Sequence, residues 1–364
     1  MSEEKFVPDK LMCDADVKID EDVKYRDVKE DPFRVYGLYN YKNEPVFKRL
    51  PDEIGLNVNP GVAQLYLNTA GGRVRFSTDS EYVVIRSYMS KIGHHNHMSL
   101  LGGAGFDLYE DDPVTGESTY VGSFRPPYDM TDGYVSLYRF RDGGRFRYLT
   151  INFPTYSNVD RLEIGLQETA TLGEGLTYRN KKPFVFYGSS ITQGGCASRP
   201  GNNYISLVCR RLNLDYINLG FSGSGKGEPA AAELLAAVEN PAMFILDYAA
   251  NAQNDGLRNT LSGFIDILRR KHPETPILMV SVTPWKTELE ACECTPCRME
   301  QTMLFLDELR RRREAGDENI HFLDGFSLYG ADWTECTVDG VHATDLGFFM
   351  VAHKMAPVIA GILE

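Results

Sequence analysis

Phe184-Val-Phe-Tyr-Gly188-Ser189-Ser190-Ile191-Thr192-Gln193-Gly194 is the stretch from which the fold can be read. An apolar run leads straight into a turn of small residues, so a strand ends with hydroxyls displayed at its carboxyl end. The same grammar repeats downstream. FVFYG precedes a helical stretch at 202–212, YINLGFS one at 228–238 and MFILDYA one at 256–271; PILMVSV precedes 297–315, and IHFLDG precedes 344–363. Short apolar strands alternating with helices predict a parallel sheet covered on both faces. In such sheets ligands bind beyond the carboxyl ends of the strands, where the Ser189-Ser190 turn falls.

The residues before Pro183 follow another pattern. VAQLYLN, GRVRFST, YVVIRSYM, GFDLYED, YVSLYRF, RYLTINF and RLEIGLQ are short and rich in Val, Tyr, Phe and Arg, and several alternate apolar with polar. Turn formers such as Ala70-Gly71-Gly72, Asp132-Gly133 and Asp142-Gly143-Gly144 separate them, which predicts an antiparallel sandwich. Both patterns break at TYRNKKP, near Thr177–Lys182. The expected organisation is therefore an all-β, jelly-roll-like domain over residues 1–179 and an α/β domain over residues 180–364.

Bulk properties narrow the function. At 364 residues the chain suits two domains of ordinary size, and its 43% hydrophobic and 24% charged residues are those of a globular protein. A net charge of −13 repels phosphate backbones, so no nucleic-acid partner is expected. No apolar run approaches the roughly 18 residues of a membrane span, and no membrane partner is expected. The opening MSEEKFVPDK lacks a basic region followed by an apolar one, and seven cysteines in a large chain suit a reducing compartment. A cytoplasmic setting is the expectation. The oligomeric state is left open.

A serine at a strand end needs a base and a preorganised oxyanion site, because its alcohol is hardly ionised at neutral pH. Near the end of the chain, Asp339-Gly340-Val341-His342 precedes the last helix. An Asp three residues before a His can reach its Nδ1 through a tight loop and fix the tautomer that leaves Nε2 free to accept a proton. Gly220-Phe-Ser-Gly-Ser-Gly225 follows the second strand and Asn251 follows the third, so a backbone N–H and a side-chain amide are available near the same sheet end.

Taken in order, GSSIT, GFSG, DYAANA and DGVH resemble the Ser, Gly, Asn and His blocks of the SGNH/GDSL hydrolases. The resemblance implies a flavodoxin-like α/β/α sandwich with Ser190 as nucleophile and His342 as base, oriented by Asp339. It implies an oxyanion hole from the Ser190 and Gly223 N–H groups and Asn251, and no cofactor. The family's first block is usually Gly-Asp-Ser, and here Ser189 replaces the Asp. Its third block is usually Gly-x-Asn-Asp, and here Ala249-Ala250-Asn251-Ala252 keeps only the Asn. Gly105-Phe-Asp107-Leu-Tyr109 also resembles the G-x-D-L-Y motif of a β-domain that precedes some esterases of this type. The implied substrate is a short acyl ester, such as an acetyl ester, on a carbohydrate or similar polar alcohol. The alternative is a carbohydrate-binding protein whose SGNH half has lost activity, which the altered GSS and ANA blocks would suit.

Rival motifs are weaker. Gly220-x4-Gly225-Lys226 nearly spells a phosphate-binding loop, but Gly227 stands where a magnesium-binding hydroxyl belongs. Thr192 breaks G-x-S-x-G. Cys292-x-Cys294-x2-Cys297, even with Cys336 added, departs from paired zinc signatures, so no metal is expected there. His94-His95-Asn96-His97 has metal binding as its alternative but reads as a solvated loop; the resemblance to two-domain esterases implies that such a loop borders the active site, with His95 and His97 as candidate substrate contacts. Met299, Met303 and Leu306 recur at helical spacing and predict the buried face of a helix, with Arg310–Arg313 as its solvated end.

Overall fold

The computed structural model describes residue 19, residues 22–284, 294–331 and 333–364, with side chains in the last helix-rich segment described from residue 299 onward. The first half is an antiparallel sandwich. One sheet has the order Val23–Asp27, Arg161–Gln167, Tyr82–Tyr88, Gly133–Arg139. The other runs Leu172–Glu174, Arg73–Thr78, Arg147–Asn152, Phe106–Asp111, Ser118–Phe124, with Arg34–Tyr36 also paired to Arg73–Thr78. Alternation decides what they bury: Val74, Phe76, Leu108, Leu149 and Ile151 of one sheet meet Val83, Ile85, Leu162 and Ile164 of the other in a single core.

The second half is an α/β/α sandwich with a five-stranded parallel sheet. Its spatial order is Leu214–Gly220, Asn180–Gly188, Met243–Asp247, Ile277–Val280, Ile320–Leu323. This is the flavodoxin-like order, with the first strand between the second and third. The three central strands bury both faces. Val185, Tyr187, Phe244, Leu246, Ile277 and Met279 pack toward helices Pro229–Ala236 and Ala249–Lys271. Phe184, Phe186, Met243, Ile245, Leu278 and Val280 pack toward helices Tyr204–Leu212 and Asp345–Leu363. Asp345–Leu363 is long and apolar enough to cross a membrane by composition. Here Phe348, Val351, Met355 and Ile359 are core residues, so its apolar face has a protein partner.

Two readings of the sequence fail locally. The first four residues of VAQLYLN (62–68) belong to helix Pro60–Leu65, because Asn59 caps the Val62 N–H at 2.9 Å and Pro60 sits at the first turn, where its missing donor costs nothing. In helix Cys294–Glu314 the buried side chains are Gln301, Phe305, Glu308 and Arg312, whereas Met299, Met303 and Leu306 are exposed. The face turned inward packs Phe305, with Leu304 and Leu309, on the core, and Arg312, in the run expected to be solvated, is buried there with Glu308 at 2.6 Å and Asp266. The Cys292, Cys294 and Cys297 side chains lie outside the described residues.

The halves meet along the edge strand Leu214–Gly220. Arg73 and Arg75 occupy the outer side of their strand yet are buried, because that face is covered by the α/β half. Arg73 pairs with Asp215 at 2.5 Å and lies over the Tyr216 ring at 3.7 Å. Asp107 of G-x-D-L-Y, fully buried, accepts from Arg199 Nη1 at 2.9 Å, Gly201 N at 2.8 Å and Asn152 Nδ2 at 2.8 Å. The motif is thus a clasp between the sandwich and the segment that follows the Ser190 turn.

Candidate active site

Strand Asn180–Gly188 ends against its neighbours so closely that a Cβ on Gly220 would lie 2.2 Å from Gln193 N, so glycine is needed for the turn to sit over the sheet. Ser190 opens the short helix Ser190–Gln193. Ser189 Oγ accepts from Ile191 N at 3.2 Å, and Ser189 N donates to Thr192 Oγ1 at 3.1 Å. Serine at the position usually held by Asp therefore works as a helix cap, for which the two residues are equally suited. Thr192 Oγ1 also donates to Asp247 Oδ2 at 3.1 Å, as does Tyr204 OH at 2.8 Å. Burial pushes the Asp247 carboxyl up to about 7, against these two hydrogen bonds.

Ser190 Oγ lies 2.9 Å from His342 Nε2. His342 Nδ1 lies 2.7 Å from Asp339 Oδ2, while Asp339 Oδ1 accepts from the His342 and Val341 backbone N–H groups at 2.8 and 3.0 Å. Partial burial works against the Asp339 charge, but those backbone and ring donors prevail and hold its pKa at about 2. The carboxylate is therefore ionised across the neutral range and keeps the Nδ1 proton in place. Hydroxyl, imidazole and carboxylate thus form a continuous chain of two short contacts, the arrangement that proton transfer from a serine requires.

Gly223 and Asn251 follow the strands that flank Asn180–Gly188, so the three expected donors sit at the carboxyl ends of three adjacent strands. Gly223 has φ of +64°, a conformation glycine takes without strain, and a Cβ there would meet nothing within 4 Å. Among the described residues no hydrogen bond engages the Ser190 or Gly223 N–H. Asn251 Nδ2 donates to Phe221 O at 3.1 Å, which ties its amide to the Gly223 loop and leaves a second proton for another acceptor. The turn bearing Asn251 is set off from its long helix at Gln253, whose φ of +54° breaks the helical path. Beyond this loop, the Glu228 carboxylate receives Tyr187 OH at 3.0 Å and Lys226 N at 3.1 Å, placing negative charge where a phosphate-binding loop would hold phosphate.

The sandwich domain reaches the same place. His97 has its ring centroid 5.3 Å from that of His342 and its Nε2 3.9 Å from Asp339 Oδ2. His95 packs edge-on against Tyr156 at 4.9 Å, and Tyr156 OH donates to Ser190 O at 3.4 Å. Burial, then the neighbouring His97, lowers the His95 pKa.

A chain of buried amides also links the domains. Asn68 Nδ2 donates to Asn158 Oδ1 at 2.8 Å, and Gln193 Nε2 donates to Asn68 Oδ1 at 3.2 Å and Thr155 O at 3.0 Å. Gln193 Oε1 then accepts from Ser222 N at 3.0 Å, one residue before Gly223. Arg49 adds a second tie, donating to Gly220 O at 2.5 Å and lying over the Phe221 ring at 4.4 Å. These positioning residues carried no sequence signal, since Asn68 and Gln193 are 125 residues apart.

Comparison with known proteins agrees with this architecture. Residues 181–360 match the GDSL-like lipase/acylhydrolase family, and residues 23–172 match the GxDLY N-terminal domain of SGNH-hydrolase-type esterases. The chain belongs to the GDSL-like lipase/acylhydrolase family and is an esterase of the SGNH type with a GxDLY domain at its N-terminal side. It is similar to a Bacteroides ovatus protein assigned as a GDSL-like lipase, with 28% identity, a TM-score of 0.85, and coverage of 94% of this chain and 98% of that one. The salicylyl-acyltransferase SsfX3 of a tetracycline biosynthetic pathway shares the fold at 20% identity and a TM-score of 0.78, over 94% and 98% of the two chains. A family two carbohydrate esterase from Cellvibrio japonicus shares it at 10% identity and a TM-score of 0.61, also over 94% and 98%. Curated protein sequences gave no match.

Proposed function

We propose that the chain hydrolyses short acyl esters, acetyl esters foremost, on a carbohydrate or a similar polar alcohol, with Ser190 as nucleophile, His342 as general base and Asp339 orienting the histidine. The observation that carries this reading is the 2.9 Å approach of Ser190 Oγ to His342 Nε2, backed by Asp339 at 2.7 Å. Ser190 Oγ attacks the ester carbonyl as its proton passes to Nε2, and Asp339 stabilises the imidazolium. The Ser190 and Gly223 N–H groups and the Asn251 amide hold the oxyanion. Collapse expels the alcohol, which takes the proton from His342. Water, deprotonated by the same nitrogen, then releases the acid and restores Ser190.

The polar-alcohol part rests on two supports. The open side of Gly223 leaves room for substrate, while His95 and His97 border the triad with hydrogen-bonding edges. Folds shared with the Cellvibrio japonicus carbohydrate esterase and with an acetyl xylan esterase from Butyrivibrio proteoclasticus support the same class. The test is a panel of acetylated sugars beside p-nitrophenyl esters of rising chain length, run with a fluorophosphonate probe. Labelling at Ser190 and turnover that declines with acyl length are expected. A chain that resists the probe and binds acetylated sugars without cleaving them would be a binding protein instead.

A further inference from the structure

We propose that His97, Cys196 and His342 form a capture site for a thiophilic divalent cation, zinc being the type, and that occupancy switches the esterase off reversibly. One ligand atom from each of these three residues lies within 4.8 Å of the other two. The triad explains His342, but it assigns nothing to a thiol beside it. The Asp339 carboxylate, 3.9 Å from His97 Nε2, adds negative charge that offsets the charge of a cation.

Ligand type selects the metal. One sulfur and two imidazoles suit zinc or copper, whereas magnesium and calcium demand oxygen. Zinc bonds of about 2.0–2.3 Å place tetrahedral ligands roughly 3.3–3.8 Å apart, so closure requires movement of about 1 Å. His97 can supply it, since its side chain is 43% exposed on the 94–97 segment of the sandwich domain. Cys196 is buried and follows the Gly194-Gly195 turn, where Gly195 N donates to Ser190 O at 2.8 Å, so the sulfur is fixed relative to the nucleophile.

Binding displaces the thiol proton to solvent and forms a metal–thiolate bond, with no change of oxidation state. A cation bound to the His342 imidazole occupies or reorients the base, and the proton from Ser190 has no acceptor. The switch rests on the proposed role of His342; the metal site itself does not.

The test uses the full chain, stripped with chelator. Cobalt(II) titration is expected to give a thiolate-to-metal charge-transfer band, and zinc is expected to suppress hydrolysis of a small activated acetate ester until chelator restores it. Cys196→Ser should keep the metal-free rate while losing that band. It should also raise the half-inhibiting zinc concentration by about a hundredfold, since even an outer partner of a metal ligand is worth about 10–100-fold. His97→Gln, on an exposed segment, checks the binding arm independently and should weaken the cobalt signal as well. Equal inhibition of wild type and Cys196→Ser, or no thiolate band in the wild type, overturns the site. A Cys196-dependent band with unchanged rates in zinc overturns the switch and, with an active Ser190→Ala, would trace its failure to the proposed triad.

Discussion

Gln193→Ala tests whether the sandwich domain positions the oxyanion loop. The side chain makes three hydrogen bonds, to Asn68, Thr155 and Ser222, and is fully buried. Truncation leaves Asn68 Oδ1 and Thr155 O without this donor in a buried setting. At about 1–3 kcal/mol for each unsatisfied group, the variant should lose roughly 2–6 kcal/mol of stability. Ser222 is only half-buried, so its N–H can turn to water; the cost there is loss of position. Gly223 follows directly, and a displaced donor forfeits part of the ~10²–10³ that a full oxyanion contact supplies. We expect kcat on p-nitrophenyl acetate to fall about 10- to 100-fold with KM nearly unchanged, because the donor acts as charge develops. Urea unfolding followed alongside steady-state rates separates the two effects. A variant that loses stability but keeps wild-type kcat at a temperature where it is folded would refute the positioning argument.

Ser190→Ala and His342→Ala should each lower kcat by about 10³-fold or more, with little further loss in the double variant, as measured by steady-state rates; independent, multiplying losses would contradict a shared proton path. Asn251→Ala should cost about 10²–10³ in kcat at similar KM, and an effect on KM alone would move Asn251 to substrate binding. Replacing His95 and His97 with Ala should impair bulky acetylated sugars more than a small activated acetate, and equal losses would point to the triad or to folding. Asp247 binds its proton more tightly in the folded state than in the unfolded one, so its contribution to stability is complete below about pH 4 and is lost as pH rises toward about 7. Thermal melts of Asp247→Asn should therefore lose part of the wild type's decline between pH 4 and 7; an unaltered decline would remove Asp247 as its source.

The parallel sheet was legible because strands buried on both faces must be apolar throughout, as Phe184–Tyr187, Met243–Leu246 and Ile277–Val280 are. Ser190, His342, Asp339, Gly223 and Asn251 could be singled out because they fall in the SGNH-like blocks, and those blocks lie in the segments that follow strands or lead into the last helix, which a parallel topology collects at one end. Local signals were less safe where long-range contacts compete. Met299, Met303 and Leu306 have the right spacing for a core face, yet the face with Phe305, Leu304 and Leu309 packs on the core and leaves them exposed.

The sequence by itself determined the class of sheet, which follows from short-range periodicity, and through its resemblance to the SGNH/GDSL blocks it singled out the candidate residues at the sheet's carboxyl end. Only the tertiary structure decided what surrounds them. His97 and Cys196 approach His342 from segments 245 and 146 residues away, and Asn68 meets Gln193 across the domain interface. No periodicity encodes such meetings, because they depend on how the outer face of one sandwich sheet docks against the edge strand of another domain. Arg73, Asp107 and Arg199 set that docking through charge pairs whose partners are known only once the chain has folded.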